Sequence, residues 1–116
     1  MATISESFSI KGTDEVRVRL DVGNGQIAGF SAVMESKQLT PSSQNESHAE
    51  YLLGPGDKVR FCDFIATVLV KDVNQQSNAT VVTATVSQGM KRMTLEQDEE
   101  APEGGTVSYA VAIFFE

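Results

Sequence analysis

One histidine, one cysteine, sixteen acidic residues and a scatter of serines are the groups in this chain that could do chemistry. His48 is the sole imidazole, and it stands in a polar stretch with no recognisable partner nearby. General acid–base catalysis needs a positioned partner as well as a titrating group, so His48 reads as an exposed loop histidine. Cys62 has Arg60 and Asp63 close by, but a nucleophilic thiol would need a base, and only His48 is available. Free cysteines are more often small buried hydrophobes, and Cys62 is read as one. The serines lie in no Gly-x-Ser-x-Gly elbow. Gly54-Pro55-Gly56-Asp57 lacks the Lys-Ser and helix of a phosphate cradle, and no His or Cys set suits zinc. The chain is therefore expected not to be an enzyme and to need no cofactor.

The acids group in two places. Asp72, Asn74 and Asn78 fall around one turn, and Asp98, Glu99, Glu100 and Glu103 fall in another stretch. Calcium takes about six to eight oxygens of these types, but neither group has Asp-x-Asp-x-Asp-Gly spacing. A solvated charge run is the plainer reading. Asn45-Glu46-Ser47 and Asn78-Ala79-Thr80 fit the glycosylation sequon, which matters only in an exported eukaryotic protein.

These groups must be positioned by β-structure. Lys58 to Leu95 contains two long runs rich in Val, Ile, Phe and Thr, separated by Asn74-Gln75-Gln76-Ser77. In the first run the apolar positions switch from odd (Val59, Phe61) to even (Phe64, Ala66, Val68, Val70). In the second they switch from even (Val82, Ala84, Val86) to odd (Met93, Leu95) across Ser87-Gln88-Gly89. A phase switch in a period-2 pattern marks a bulge or bend. If the two runs pair about their loop, Asp63 faces Gln88, and the pattern predicts a long hairpin that bends as a unit or crosses between sheets. Ile65 and Leu69 make the middle of the first run apolar on both faces, which predicts a central strand covered above and below.

Elsewhere, Glu15 to Val22 alternates strictly, with Val16, Val18, Leu20 and Val22 on one face. Gly23-Asn24-Gly25 predicts a hairpin into a return strand over 26–34. Ile4, Phe8 and Ile10 share a face near the N-terminus. In the last run, Val107, Tyr109, Val111, Ile113 and Phe115 share a face that Phe114 leaves. Glu35 to Gly56 reads as a polar loop, with a turn or two of helix over 47–53 capped by Ser47. A loop of that length inside a compact domain is functional or mobile. Glu96 to Gly105 reads as an acidic loop.

At 116 residues with 41% hydrophobic content, the chain is expected to be one domain with one core, residues 1–116. The fold class expected is all-β: an antiparallel β-sandwich of about seven to eight strands, immunoglobulin-like or jelly-roll in outline, with a closed barrel as the alternative. Sixteen acids against nine bases give a net charge of −7, which disfavours nucleic acid and anionic membranes as partners. Neither a leader-like N-terminus nor a span-length apolar run is present, so the cytoplasm is the default location, with leaderless export as the alternative.

Two functions fit these residues. The first is a non-catalytic interaction or structural module that assembles with itself or a protein partner, with Phe114 and Phe115 as a sticky strand end. The second is a small-ligand module, lectin-like or calcium-binding, using the 35–56 and 96–105 loops, with Asn45, His48 and Tyr51 lining a carbohydrate or calcium site.

Overall fold

Residues 2–116, which the computed structural model describes, form ten strands and one short helix. The strands are β1 (Ala2–Phe8), β2 (Glu15–Val22), β3 (Ile27–Met34), β4 (Lys37–Gln38), β5 (Ser43–Gln44) and β6 (His48–Pro55). Helix α1 (Gly56–Val59) precedes β7 (Asp63–Lys71), β8 (Ala79–Gln88), β9 (Lys91–Glu100) and β10 (Thr106–Phe115). They make two five-stranded sheets, ordered β1-β10-β7-β3-β4 and β5-β6-β2-β8-β9. The expected all-β sandwich is what the chain forms. Ten strands replace the expected seven or eight because β4 and β5 are two-residue pairings too short to leave a pattern, and one forecast run contains two strands. All pairings are antiparallel except that of β1 with β10, which joins the two ends of the chain.

The inner faces follow the alternation closely. Val16, Val18 and Leu20 of β2 and Val82, Ala84 and Val86 of β8 meet Phe64, Ala66 and Val68 of β7 and Tyr109, Val111, Ile113 and Phe115 of β10. Each buried aliphatic or aromatic side chain there contributes roughly 1.5–3 kcal/mol. Phe8 and Phe115 pack edge to face at 6.1 Å, and Tyr51 and Phe64 do the same at 5.6 Å.

The predicted long hairpin does not exist. β7 pairs with β10 and β3, while β8 pairs with β2 and β9 in the opposite sheet. Asp63 faces Phe114 instead of Gln88, and the 72–78 segment hands the chain from one sheet to the other. Both phase switches are nevertheless real breaks. The first is where α1 and the turn at 60–62 give way to β7, with Val59 buried in the helix and Phe61 exposed at φ 70°. The second is a tight β8–β9 turn at Gly89-Met90. Gly23-Asn24-Gly25 behaves similarly. Asn24 and Gly25 take the positive φ that suits a tight turn, yet the turn links β2 to β3 across the sandwich and makes no hairpin.

Two buried glutamines hold the crossings. Gln26 receives the Val73 and Asn74 N–H groups on Oε1 at 2.7 and 3.0 Å, and its Nε2 donates to the carbonyls of Ser77 and Ala79, both at 3.1 Å. At the other end, Gln88 accepts from Lys11 N–H at 2.8 Å and donates to Asp14 O at 3.0 Å. The forecast helix over 47–53 is strand β6, whose alternation buries Ala49 and Tyr51. Most of the supposed 35–56 loop is thus sheet. Likewise residues 96–100 continue β9, leaving only 101–105 as a loop.

Candidate functional site

The outward faces of the two sheets differ in kind. On the β5-β6-β2-β8-β9 sheet, Arg17, Arg19, Asp21 and Glu50 form an ion-pair cluster, with Arg19 Nε 3.0 Å from Asp21 Oδ2 and Arg17 and Arg19 each 3.7–3.8 Å from Glu50. Asp21, followed by Glu50, raises the Arg19 guanidinium above its ordinary value. Arg17, Arg19 and Glu50 of this cluster line a shallow cleft of about 640 Å³ completed by Asp14, Glu15 and Arg92. Three acids there balance three arginines, so the cleft has no net charge to offer a ligand.

Among the described residues, the outward face of the other sheet carries no ionisable side chain in its three central rows. Cross-strand register aligns Ser5, Ala112, Ile65 and Val33 in one row and Thr3, Ala110, Thr67 and Ser31 in the next. Ser108, Leu69 and Gly29 make the third. Among the described residues, ionisable side chains paired across these strands appear only in the bounding rows, at Asp63 and Lys71. Ile65 and Leu69 are 48% and 49% exposed, Val33 38% and Phe114 37%. The strand expected to be covered above and below is central in its sheet but covered on its inner side alone. Its outer side chains form a ridge, with Ser108, Ala110 and Ala112 of β10 on one flank and Gly29 and Ser31 of β3 on the other. Four strands spaced ~4.8 Å and about nine residues long, at ~3.3 Å per residue, cover roughly 19 by 30 Å. That area, bounding rows included, is below the ~800 Å² each partner contributes to a standard interface and suits a small, weaker one.

The residues singled out in the sequence do not converge. Asn45 is structural: its Oδ1 accepts from the Ser47 and His48 N–H groups at 2.8 and 3.0 Å and from Ser47 Oγ. His48 lies half-buried on β6, its Nε2 3.1 Å from Ser43 Oγ. Tyr51 is 1% exposed in the core, where burial raises its phenol above the ordinary value, so it cannot line a surface ligand site. The β6 alternation sets this, since it turns His48 out and Tyr51 in. Phe115, expected at a sticky strand end, is instead fully buried against Phe8 and unavailable to a partner. Phe114 alone of that pair reaches the open face. The Cys62 thiol, 3.7 Å from the Lys58 carbonyl, is pushed up by burial, then by Glu35 and by Asp63, which disfavours the thiolate. Reading the sequence for reactive types misses Ile65, Leu69, Ala110 and Ala112. The double-sided apolar run signals Ile65 and Leu69, whereas Ala110 and Ala112 join them only through the pairing of β10 with β7.

No protein-family model, no curated protein and no solved structure matches this chain. No helix among the described residues is long and apolar enough to cross a membrane.

Proposed function

We propose that this domain is a non-catalytic assembly module that packs against a second copy of itself through the outer face of the β1-β10-β7-β3-β4 sheet. The observation that supports it is the absence, among the described residues, of ionisable side chains from the three central rows of that face in a chain of net charge −7. Two copies this acidic repel, so contact is favoured where neither carries charge. The ridge of Ile65 and Leu69 between troughs of small residues suits a two-fold arrangement, because a copy displaced by one strand sets its ridge over the partner's β10 trough. A solvated face gains nothing from exposing four large apolar side chains, whereas covering them removes apolar area from water at about 25 cal/mol per Å². We place the protein in the cytoplasm as part of the same proposal, the single free thiol of Cys62 being compatible with a reducing compartment.

Thiol cross-linking tests the face directly. In a Cys62→Ser background, Thr67→Cys sits at the centre of the proposed interface, and Ser87→Cys sits on the opposite sheet. A bis-maleimide cross-linker with a reach of about 10 Å, the spacing of sheets packed face to face and beyond disulfide range, should yield a covalent dimer with Thr67→Cys and far less with Ser87→Cys. Equal yields, or none with either, would sink the proposal.

A further inference from the structure

The two acidic groups of the sequence, distant along the chain, meet in the fold. The 72–78 crossing packs on the 101–105 loop. There Asp72 N–H donates to Gly105 O at 2.9 Å, and Ala101 N–H donates to Asn78 O at 2.9 Å. Asp72, Asn78 and Glu103 line a cavity of about 380 Å³ between these segments, together with Asn74, Gln75 and Gly104. Asp72 is 6% exposed. Its Oδ2 accepts a long bond from Gly104 N–H at 3.4 Å, and its Oδ1 has no hydrogen-bond partner. It is the single buried side-chain oxygen or nitrogen among the described residues left in that condition. Among the described residues, no lysine, arginine or histidine lines the cavity, and no ion pair reaches Asp72.

A buried carboxylate needs both hydrogen-bond partners and a counter-charge. A bound water or a sugar hydroxyl supplies the first without the second. A cation coordinates the oxygens directly, in place of hydrogen bonds, and supplies the counter-charge. We propose that this cavity binds calcium, with the Asp72 and Glu103 carboxylates as anionic ligands and the remaining oxygens drawn from the Asn78 amide, backbone carbonyls and water. Calcium accepts such mixed, irregular oxygen sets, whereas magnesium demands a near-ideal octahedron and gives up water reluctantly. The Asn74 side chain is a wall of the site and not a ligand, because its Nδ2 donates to Asn24 O at 2.8 Å and its Oδ1 accepts from Gln76 N–H at 2.9 Å. Among the described residues no three His, Cys, Asp or Glu side chains gather closely enough to hold a metal unaided. With two carboxylates the site belongs with weak calcium modules, whose dissociation constants run about 10⁻⁴–10⁻³ M. It is independent of the assembly face, which lies on the outer side of the β1-β10-β7-β3-β4 sheet and uses none of these residues.

The test is thermal unfolding of chelator-treated protein titrated with calcium chloride, against magnesium and sodium chlorides at matched ionic strength. At about 10 mM calcium, the folded-to-unfolded ratio should rise roughly 10- to 100-fold, with no comparable response to the controls. Asp72→Asn and Glu103→Gln should each abolish most of that gain. In chelator, Asp72→Asn should melt at or above the parent temperature, because a neutral amide removes the uncompensated charge. No calcium response in the parent, or a calcium response retained in both variants, would overturn the site. So would stabilisation by a sugar panel in the absence of calcium.

Discussion

Gln26→Leu isolates what the 72–78 crossing depends on. The side chain is 3% exposed and makes four bonds to backbone, accepting from Val73 and Asn74 and donating to Ser77 and Ala79. Leucine has similar volume, so the change leaves little cavity and removes all four bonds. Each is worth about 1 kcal/mol net, and a group left buried and unpaired costs about 1–3 kcal/mol. The outer part of this segment is half-open to water, which can rehydrate some of the four. The expected loss is therefore about 3 kcal/mol, below the sum of four full penalties. For a domain of this size that is a fall of roughly 10–15 °C in Tm. Urea unfolding followed by far-UV circular dichroism is the assay, with an unchanged denaturant slope as the sign that the two-state transition persists. A loss below about 1 kcal/mol would refute the reasoning, because it would mean the crossing is held by its other contacts.

Three further outcomes follow from the same geometry. Gly56→Ala should cost at least about 3 kcal/mol in urea unfolding, because a Cβ there would collide with Gln88 Nε2 and the Gly12 carbonyl and lie 2.9 Å from Ile10 Cγ2. Tyr109→Phe should cost about 1 kcal/mol, since it breaks a relay in which the Tyr109 hydroxyl meets Thr80 Oγ1 at 2.6 Å and Thr80 donates to the Glu99 carbonyl at 2.6 Å. Stability should hold through neutral pH and fall in alkali. Burial raises the Tyr51 and Tyr109 phenols above the ordinary 10.0 and is the main cause raising the Cys62 thiol above 9.0, while the Thr80 bond opposes part of the Tyr109 shift. A raised folded-state value means the folded chain keeps its protons longer than the unfolded chain. That contribution is complete below about pH 9 and is lost as pH climbs through and beyond 10. Urea midpoints measured from neutral to alkaline pH check it, and Tyr51→Phe with Tyr109→Phe should flatten the decline.

What could be read from the sequence was whatever a residue settles with its immediate neighbours. The alternation in Glu15–Val22 and in 106–115 fixed which side chains are buried, Phe115 included, and that inward placement already argued against Phe115 as a partner contact. Positive φ at Asn24 and Gly25 followed from turn chemistry. Pairing partners could not be read this way. A turn between two apolar strands looks the same whether the second strand lies beside the first or opposite it in the other sheet. The choice rests on long-range packing and on clamps such as Gln26, whose four partners lie 47 to 53 residues away. The candidate face was half-legible. Ile65 and Leu69 announced a strand apolar on both sides, but the troughs beside them come from β3 and β10, which only the fold places there. The calcium cavity was less legible still, because Asp72 and Glu103 are joined by the packing of two loops.

Sedimentation equilibrium on the parent protein and on an Ile65→Glu, Leu69→Glu double variant tests the central claim most directly. Both positions are about half exposed, so two glutamates cost the monomer little while placing four like charges across the proposed interface. The account predicts a parent mass that rises with concentration toward twice 12.5 kDa, and a variant that stays at 12.5 kDa while melting close to the parent. A parent that is monomeric at every concentration, or a variant that dimerises as well as the parent, would contradict it.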